Sequence, residues 1–161
     1  MTKKLRVRNA RYPDAHHIEA LLQTAIEGAD AIHLPPIARP HILNYLNFNI
    51  SRGQVILAVV DGSLAGFVVT ETTIFPWNPD YGVYAVAMFL VGKQYRETGA
   101  AEAMLAELVT QAQTSGVDVV FRETVAIDGG LTEEMLATTG LTKIPGGYYF
   151  QPTATMENPE E

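Results

Sequence analysis

The segment from residue 83 to residue 115 constrains the fold of this chain more than any other part. An apolar run covers residues 83–91, a polar turn containing Gly99 follows, and apolar residues then recur every three or four positions up to Ala112. Residues at that spacing form one stripe along a helix, and Gly116 is a suitable end for it. The pattern predicts a buried strand, a glycine-bearing turn and a helix. The first turn of such a helix offers free N–H groups and a positive dipole end, which together bind phosphate.

The composition narrows the class of protein. A length of 161 residues with 47% hydrophobic and 18% charged residues predicts one folded domain. The absence of cysteine excludes disulfides, thiolate metal ligands and a cysteine nucleophile. The apolar runs are far shorter than the roughly 20 residues that span a bilayer, and the N-terminus lacks a signal-peptide pattern. We therefore expect a cytoplasmic protein that does not bind membranes.

The net charge of −7 bears on the partner. Nucleic-acid binding requires a basic surface, so nucleic acid is not expected. A cationic substrate such as an amine, a polyamine or a lysine-rich segment suits this charge. Simple solubility is nevertheless the plainer explanation of the charge.

The turn also carries the spacing Arg96-x-x-Gly99-x-Ala101, with Val91 five positions before the arginine. This spacing resembles the acyl-CoA pyrophosphate loop of the GNAT superfamily of N-acetyltransferases, usually written R/Q-x-x-G-x-G/A. The order of the predicted elements is similar to that of the family over residues 5–150, nearly the whole chain.

The predicted order places two helices between the first strand and the hairpin that precedes the central segment. Asp14 is a good N-cap for the first helix, and Asp61-Gly62 is a strong turn signal. The prolines at positions 76 and 79 predict a break in the sheet at residues 75–80. The predicted strands cover residues 5–8, 54–60, 64–75, 83–91, 117–124 and 143–150, the last being a strand or a hairpin, and the predicted helices cover residues 14–27, 41–52, 100–115 and 132–138.

The resemblance implies a single-domain α/β fold over residues 1–150. Its sheet is mixed and mostly antiparallel, flanked by helices, and splayed between strands 83–91 and 117–124, where the thioester should lie. Residues 151–161 read as a polar, acidic and disordered tail.

The resemblance further implies acetyl-CoA as co-substrate, with its pyrophosphate on the loop and its pantetheine arm along the strand. No metal is expected. The residues expected to contact the cofactor are Phe89, Val91, Gln94, Tyr95, Arg96, Glu97, Thr98, Gly99, Ala100 and Ala101.

The side chains usual for catalysis in the family are missing. The position of the common glutamate is Ala85, and that of the common tyrosine is Leu136. We therefore expect Glu123, near the end of its strand, to be the base, with Glu71 as the second candidate. Tyr148 is the expected proton donor, and the other tyrosines that could serve are Tyr84 and Tyr149.

The resemblance implies acetyl transfer to a primary amine, on a small molecule or a protein, by direct attack in a ternary complex. A non-catalytic acyl-CoA-binding or interaction module is the alternative, because both usual catalytic residues are absent. Residues 32–40 form either a wall of the acceptor site or a plain connector, and a homodimer is possible in this family.

Overall fold

The computed structural model of the chain describes residues 2–29, 34–122 and 128–152, with Arg122 described by its backbone alone. Within these residues, seven strands form one sheet in the order β1-β2-β3-β4-β5-β7-β6. The strands are β1 Leu5–Asn9, β2 Val55–Val60, β3 Ser63–Phe75, β4 Asn78–Val91, β5 Asp118–Arg122, β6 Thr142–Ile144 and β7 Gly147–Phe150, and the α-helices are α1 Ala15–Glu27, α2 Arg39–Ser51, α3 Ala100–Ser115 and α4 Glu133–Thr138. Neighbouring strands are antiparallel except for the parallel pair β4 and β5. The predicted mixed, mostly antiparallel α/β sheet is confirmed.

Two apolar layers enclose the sheet. Alternate residues of a strand point to opposite faces, so Leu57 and Phe67 pack with α1 and α2, whereas Ile56 and Val68 pack with α3. We call these two sides the α1/α2 face and the α3 face. The layer around α3 also contains Leu136 of α4. Both faces of the central strands are thus buried, which explains their nearly continuous apolar runs.

The predicted break at residues 75–80 is wrong. β3 and β4 form one long hairpin, joined at Pro76 and Trp77, and pairing begins at Phe75 and Asn78. Phe75 stacks on Trp77 with ring centroids 4.8 Å apart, and Tyr81 lies 5.6 Å from the same ring. This aromatic cluster offsets the cost of prolines in a ladder, which tolerates them at turns and irregular ends.

Several other boundaries differ from the predictions, and two of the differences have a clear physical reason. Helix α2 begins at Arg39 instead of residue 41, because Pro40 fits the first turn of a helix, where its missing N–H is not needed. Residues 142–150 form a hairpin, β6 and β7, whose turn contains Gly146 at φ 80°. The second of the two predicted alternatives for this segment is therefore the observed one.

Asp14 precedes α1 as predicted, but its side chain does not cap that helix. Its carboxylate instead accepts hydrogen bonds from Nη1 and Nη2 of Arg8, at 2.7 and 2.9 Å, and from the Arg11 N–H at 2.7 Å. Asp14 therefore ties the end of β1 to the start of α1. The hydrogen bonds from Arg8, followed by that from Arg11 and the attraction to nearby positive charge, hold the pKa of the Asp14 carboxyl below its usual range.

We expect Asp14→Asn to reduce the free energy of unfolding by about 1.5–3 kcal/mol at pH 7, the range of a hydrogen bond to a charged group. Because the folded-state pKa is lowered, this contribution is complete above the unfolded pKa of about 4 and disappears as the pH falls through the folded value. Urea unfolding from pH 7 to pH 2 should show a constant difference down to about pH 5 that then shrinks. A difference that does not change with pH would contradict this role.

Candidate functional site

A β-bulge in β4 lies where the described pairing of β4 with β5 ends, and we call this place the gap. Val69 pairs with Met88 and Thr70 with Val86, so Ala87 has no partner on β3. The extra residue reverses the alternation, and Phe89 packs on the α3 face, as Val86 does before the bulge. A bulge also bends its strand. Among the described residues, β4 pairs with β5 from Val83 to Val86, and further along β4 the Val91 N–H donates to the Gly129 carbonyl instead. This is the predicted splay.

The loop between β4 and α3 leads into a helix whose first backbone N–H groups have no helical partner. A 3-10 turn covers Lys93–Tyr95, and Gly99 follows at φ 81°, a left-handed conformation that favours glycine. The first helical hydrogen bond runs from the Ala103 N–H to the Gly99 carbonyl, so the preceding N–H groups of α3 have no partner within the helix. Ala100 and Ala101 are buried, and their small side chains let the helix begin against the sheet.

A cavity of about 550 Å³ lies beside this loop. Its lining includes three cationic side chains, those of Lys3, Lys93 and Arg96, together with the carboxylate of Glu97. The remaining lining residues are Thr2, Gln94 and Thr98. Free N–H groups and a cluster of positive charge are the two features that bind phosphate groups. Four of the residues predicted to contact the cofactor therefore line one cationic recess, namely Gln94, Arg96, Glu97 and Thr98. A fifth, Tyr95, lies between them in the chain and packs on the α3 layer.

Arg96 is held by the segment after β5. Its Nη1 donates to Oδ2 of Asp128 at 2.6 Å, and its Nη2 donates to the Asp128 carbonyl, also at 2.6 Å. The Val91 N–H donates to the Gly129 carbonyl at 2.9 Å. Residues 128–130 thus lie against the end of β4, along the edge predicted to pair with pantetheine.

This segment depends on its glycines. A Cβ on Gly129 would lie 2.2 Å from the Phe89 carbonyl oxygen, so only glycine allows so close an approach. The Gly130 N–H donates to Oδ1 of Asp128 at 3.0 Å. That bond, followed by the one from Arg96, holds the pKa of the Asp128 carboxyl below its usual range. The carboxylate therefore stays charged at neutral pH.

A row of register partners crosses four strands next to the gap. Glu71 of β3 lies opposite Ala85 of β4, Ala85 opposite Val120 of β5, and Val120 opposite Tyr149 of β7. Val86 packs on the α3 face, so the row points to the α1/α2 face. Its middle is formed by the short side chains of Ala85 and Val120, and its ends carry a carboxylate and a phenol. We call this row the trough.

Both ends of the trough are hydrogen-bonded. The Tyr45 hydroxyl of α2 donates to Oε1 of Glu71. At the other end the hydroxyls of Tyr149 and Tyr81 donate to Oδ2 of Asp118, the latter at 3.0 Å. Burial is the main reason that the pKa of Tyr45 and that of Tyr149 rise above their usual range, and each carboxylate partner adds to the rise. Both phenols therefore remain protonated at neutral pH.

The structure describes the positions of some of the predicted catalytic residues and not of others. Glu123 lies outside the described residues. Tyr148 is buried on the α3 face in the same apolar layer as Leu136, where the resemblance implies a tyrosine. Lys143 is the main reason that the pKa of the exposed Glu133 carboxyl lies below its usual range, and a hydrogen bond from the Tyr148 hydroxyl adds to this effect. Tyr84 packs on the same layer, away from the trough.

Three residues of this region were not predicted. Lys3 lines the cationic recess, Asp128 holds Arg96, and Tyr45 holds Glu71. Asp128 could have been suspected, because a carboxylate next to two glycines often forms a tight turn. No pattern in the sequence indicates the other two, since both reach the site through the tertiary fold.

Within residues 2–29, 34–122 and 128–152, no three histidine, aspartate or glutamate side chains are grouped so that they could hold a metal ion. None of the helices in that part of the chain is both long enough and apolar enough to cross a membrane.

Comparisons with known proteins agree with this geometry. The family model described as "Acetyltransferase (GNAT) family" matches residues 19–128. No curated protein matches the chain. An N-acetyltransferase from Staphylococcus aureus Mu50 superposes with a TM-score of 0.71 at 18% identity, covering 92% of this chain and 98% of that one.

Two other structures show the same fold. A GNAT family acetyltransferase from Brucella melitensis in complex with acetyl-CoA has a TM-score of 0.66 at 13% identity and covers 92% of this chain and 88% of its own. A GCN5-related N-acetyltransferase from Kribbella flavida has a TM-score of 0.61 at 11% identity over 77% of this chain. The chain spans 31% of the length of that last protein.

Proposed function

Because the chain belongs to the acetyltransferase (GNAT) family, whose co-substrate is acetyl-CoA, we propose that it acetylates a primary amine by direct attack within a ternary complex. The observation that carries this proposal is the gap after Val86, with the phosphate-binding loop at one end and the trough on the α1/α2 face. Donor and acceptor can approach such a gap from opposite faces. Because the chain contains no cysteine, the acetyl group cannot pass through a cysteine thioester, which favours the direct route.

The N–H groups near Gln94 to Ala101 are proposed to hold the pyrophosphate, and Lys3 and Lys93 to add positive charge. The pantetheine arm would then follow the edge of β4 near Phe89 and Val91. In that position it competes with the Gly129 carbonyl for the Val91 N–H. Residues 128–130 must therefore move or share this edge when the cofactor binds.

Tyr148 remains the proposed proton donor to the departing thiolate. This proposal is supported by the position of Tyr148 in the same apolar layer as Leu136, the residue that occupies the position of the family's usual tyrosine. Glu123 remains a prediction, because it lies outside the described residues.

Residues 34–38, which lead into α2, are proposed as part of the acceptor wall; Ile32 and His33 lie outside the described residues. Pro36 is exposed there. We expect Pro36→Arg to raise the KM for a cationic amine by about threefold to tenfold through repulsion, with unchanged affinity for acetyl-CoA. The matched control is Pro76→Arg, at the exposed turn between β3 and β4. Equal damage to both substrates would mean that residues 34–38 are only a connector.

The test of the function is incubation of the full chain with acetyl-CoA and a panel of monoamines, diamines and lysine peptides. Thiol release and the intact mass of each acceptor are measured. An acetylated amine formed with equal thiol release supports the proposal. Binding of acetyl-CoA without acetylation of any amine would favour a non-catalytic acyl-CoA-binding module.

A further inference from the structure

Glu71 stands where the trough meets the gap. Its register partner Ala85 directly precedes Val86, the last residue of β4 recorded as paired with β5. Cross-strand partners on one face have Cβ atoms about 5 Å apart. The carboxylate of Glu71 can therefore extend over the small Ala85 side chain to the opening of the gap.

The shape of the trough allows an extended amine to enter. Neighbouring strands are about 4.8 Å apart, so the Cα atoms of Glu71 and Tyr149 are separated by about 14 Å. The floor between them consists of Ala85 and Val120, and Glu71 is exposed. An ammonium group can thus reach the carboxylate without displacing a large side chain.

Tyr45 fixes the direction of this carboxylate. Its hydroxyl donates to one oxygen, Oε1, which leaves the other oxygen of Glu71 able to accept from a substrate. The phenol is half-buried and protonated at neutral pH, so it can only donate to the carboxylate. The arrangement is that of a base oriented by a second group.

We propose that Glu71 is the general base that deprotonates the acceptor amine, and that Tyr45 is its positioning residue. This inference rests on the proposed acetyl transfer. In the step, the ammonium gives one proton to the Glu71 carboxylate. The nitrogen lone pair forms the N–C bond, and the C–S bond breaks with its electron pair on sulfur. The thiolate takes its proton from the proposed donor Tyr148, and the second nitrogen proton restores that phenol, giving the amide and free CoA.

The side chains around Glu71 come from α2, β3, β4 and the far end of the trough. α2 contributes Tyr45 and, one turn earlier, the exposed His41. β4 contributes Ala85, which is neutral, and the flanking residue of β3 on the same face, Thr73, is neutral as well. The far end of the trough contributes Tyr149, already bound to Asp118. No cation in this set neutralises Glu71 permanently.

The first experiment compares Glu71→Gln with the wild type across pH. An amine with a pKa near 10 is mostly protonated at pH 7, so loss of the base should reduce kcat/KM by about 100-fold. The reduction should shrink as the pH rises, because free amine becomes abundant. Acetyl-CoA affinity should not change. Glu107→Gln, the same change on α3 at the other face of the sheet, is the control and should have the wild-type profile.

A second-site variant separates chemistry from structure. In the double variant Glu71→Gln with Ala85→Glu, a carboxylate returns to the same face from the neighbouring strand. We expect it to recover at least about tenfold of the lost rate. Because Ala85 is also the position of the family's usual glutamate, the single variant Ala85→Glu is the control. An equal gain in the wild-type background would mean that the recovery is unrelated to Glu71, and would contradict its role as the base. Tyr45→Phe should lower kcat/KM by about tenfold and should leave acetyl-CoA affinity unchanged, because it removes a charge-assisted hydrogen bond that orients the Glu71 carboxylate.

The outcomes separate the inference from the function. Wild-type activity of Glu71→Gln across the pH range, or a loss that does not depend on pH, would overturn the assignment of Glu71 while acetyl transfer stands. A 100-fold loss in Glu123→Gln with none in Glu71→Gln would assign the base to Glu123. If the wild type acetylates no amine, the proposed function fails first.

Discussion

Gly99→Glu is expected to weaken acetyl-CoA binding by more than about 100-fold, equivalent to about 2.7 kcal/mol. Gly99 adopts φ 81° directly before α3, so its side-chain position borders the N–H groups that would bind the pyrophosphate. A glutamate there offers its own carboxylate to those groups and repels the phosphates. The fold should survive, because a negative charge at a helix N-terminus is favourable and offsets part of the strain of about 1 kcal/mol.

Gly116→Glu is the matched control for this variant. Gly116 also has a positive φ, 64°, but lies at the other end of α3, with nothing within 4 Å of a Cβ. It therefore carries similar backbone strain without approaching the loop. Calorimetric titration should give near wild-type affinity for Gly116→Glu and none measurable for Gly99→Glu. A folded Gly99→Glu variant that binds normally would refute the assignment of this loop.

Gly66→Ala is expected to reduce the free energy of unfolding by about 2–3 kcal/mol, the upper range for overpacking a core. Gly66 lies on β3 opposite Val91. A Cβ there would lie 2.7 Å from the Leu90 carbonyl oxygen and 2.9 Å from Cε of Met104. The methionine end can move, but the carbonyl belongs to the β3–β4 ladder. The two strands would have to separate just before the phosphate-binding loop.

Gly82→Ala tests the same change where there is space. Gly82 lies on β4 in the same ladder, and its nearest neighbour to a Cβ is the Thr73 carbonyl oxygen at 3.9 Å. Because alanine reduces the conformational entropy of the unfolded chain, the free energy of unfolding of this variant should be unchanged or higher by about 0.5 kcal/mol. Urea unfolding followed by circular dichroism gives both values. Equal stability of the two variants would contradict the close packing at Gly66.

The sequence predicted the layers of the fold because periodicity records burial. The stripe through Met104 and Leu105 became α3, and the run at residues 83–91 became the buried half of β4. The predictions were wrong where local signals met tertiary contacts. Pro76 and Pro79 read as a break, but stacking of Phe75 on Trp77 holds the hairpin together.

The geometry of the site could be predicted only where its residues are close together in the sequence. Arg96, Gly99 and Ala101 are close in sequence, so their spacing alone indicated the loop. Glu71 and Ala85 meet across a hairpin whose register shifts both between Ile74 and Phe75 and at Ala87, and periodicity cannot reveal such shifts. The contact of Tyr45 with Glu71 depends in addition on the packing of α2. Such contacts follow from the fold and cannot be read from spacing.

The bulge at Ala87 gives this sheet a third edge. Sheets usually have two, and an exposed edge can pair with the backbone of another chain and cause aggregation. Past Val86, no described residue of β5 pairs with β4, which leaves such an edge within the sheet, and the Gly129 carbonyl covers part of it by accepting from Val91. The edge that would receive the cofactor is therefore the one that residues 128–130 shield. Substitutions that displace Gly129 should make the protein depend on acetyl-CoA to stay monodisperse.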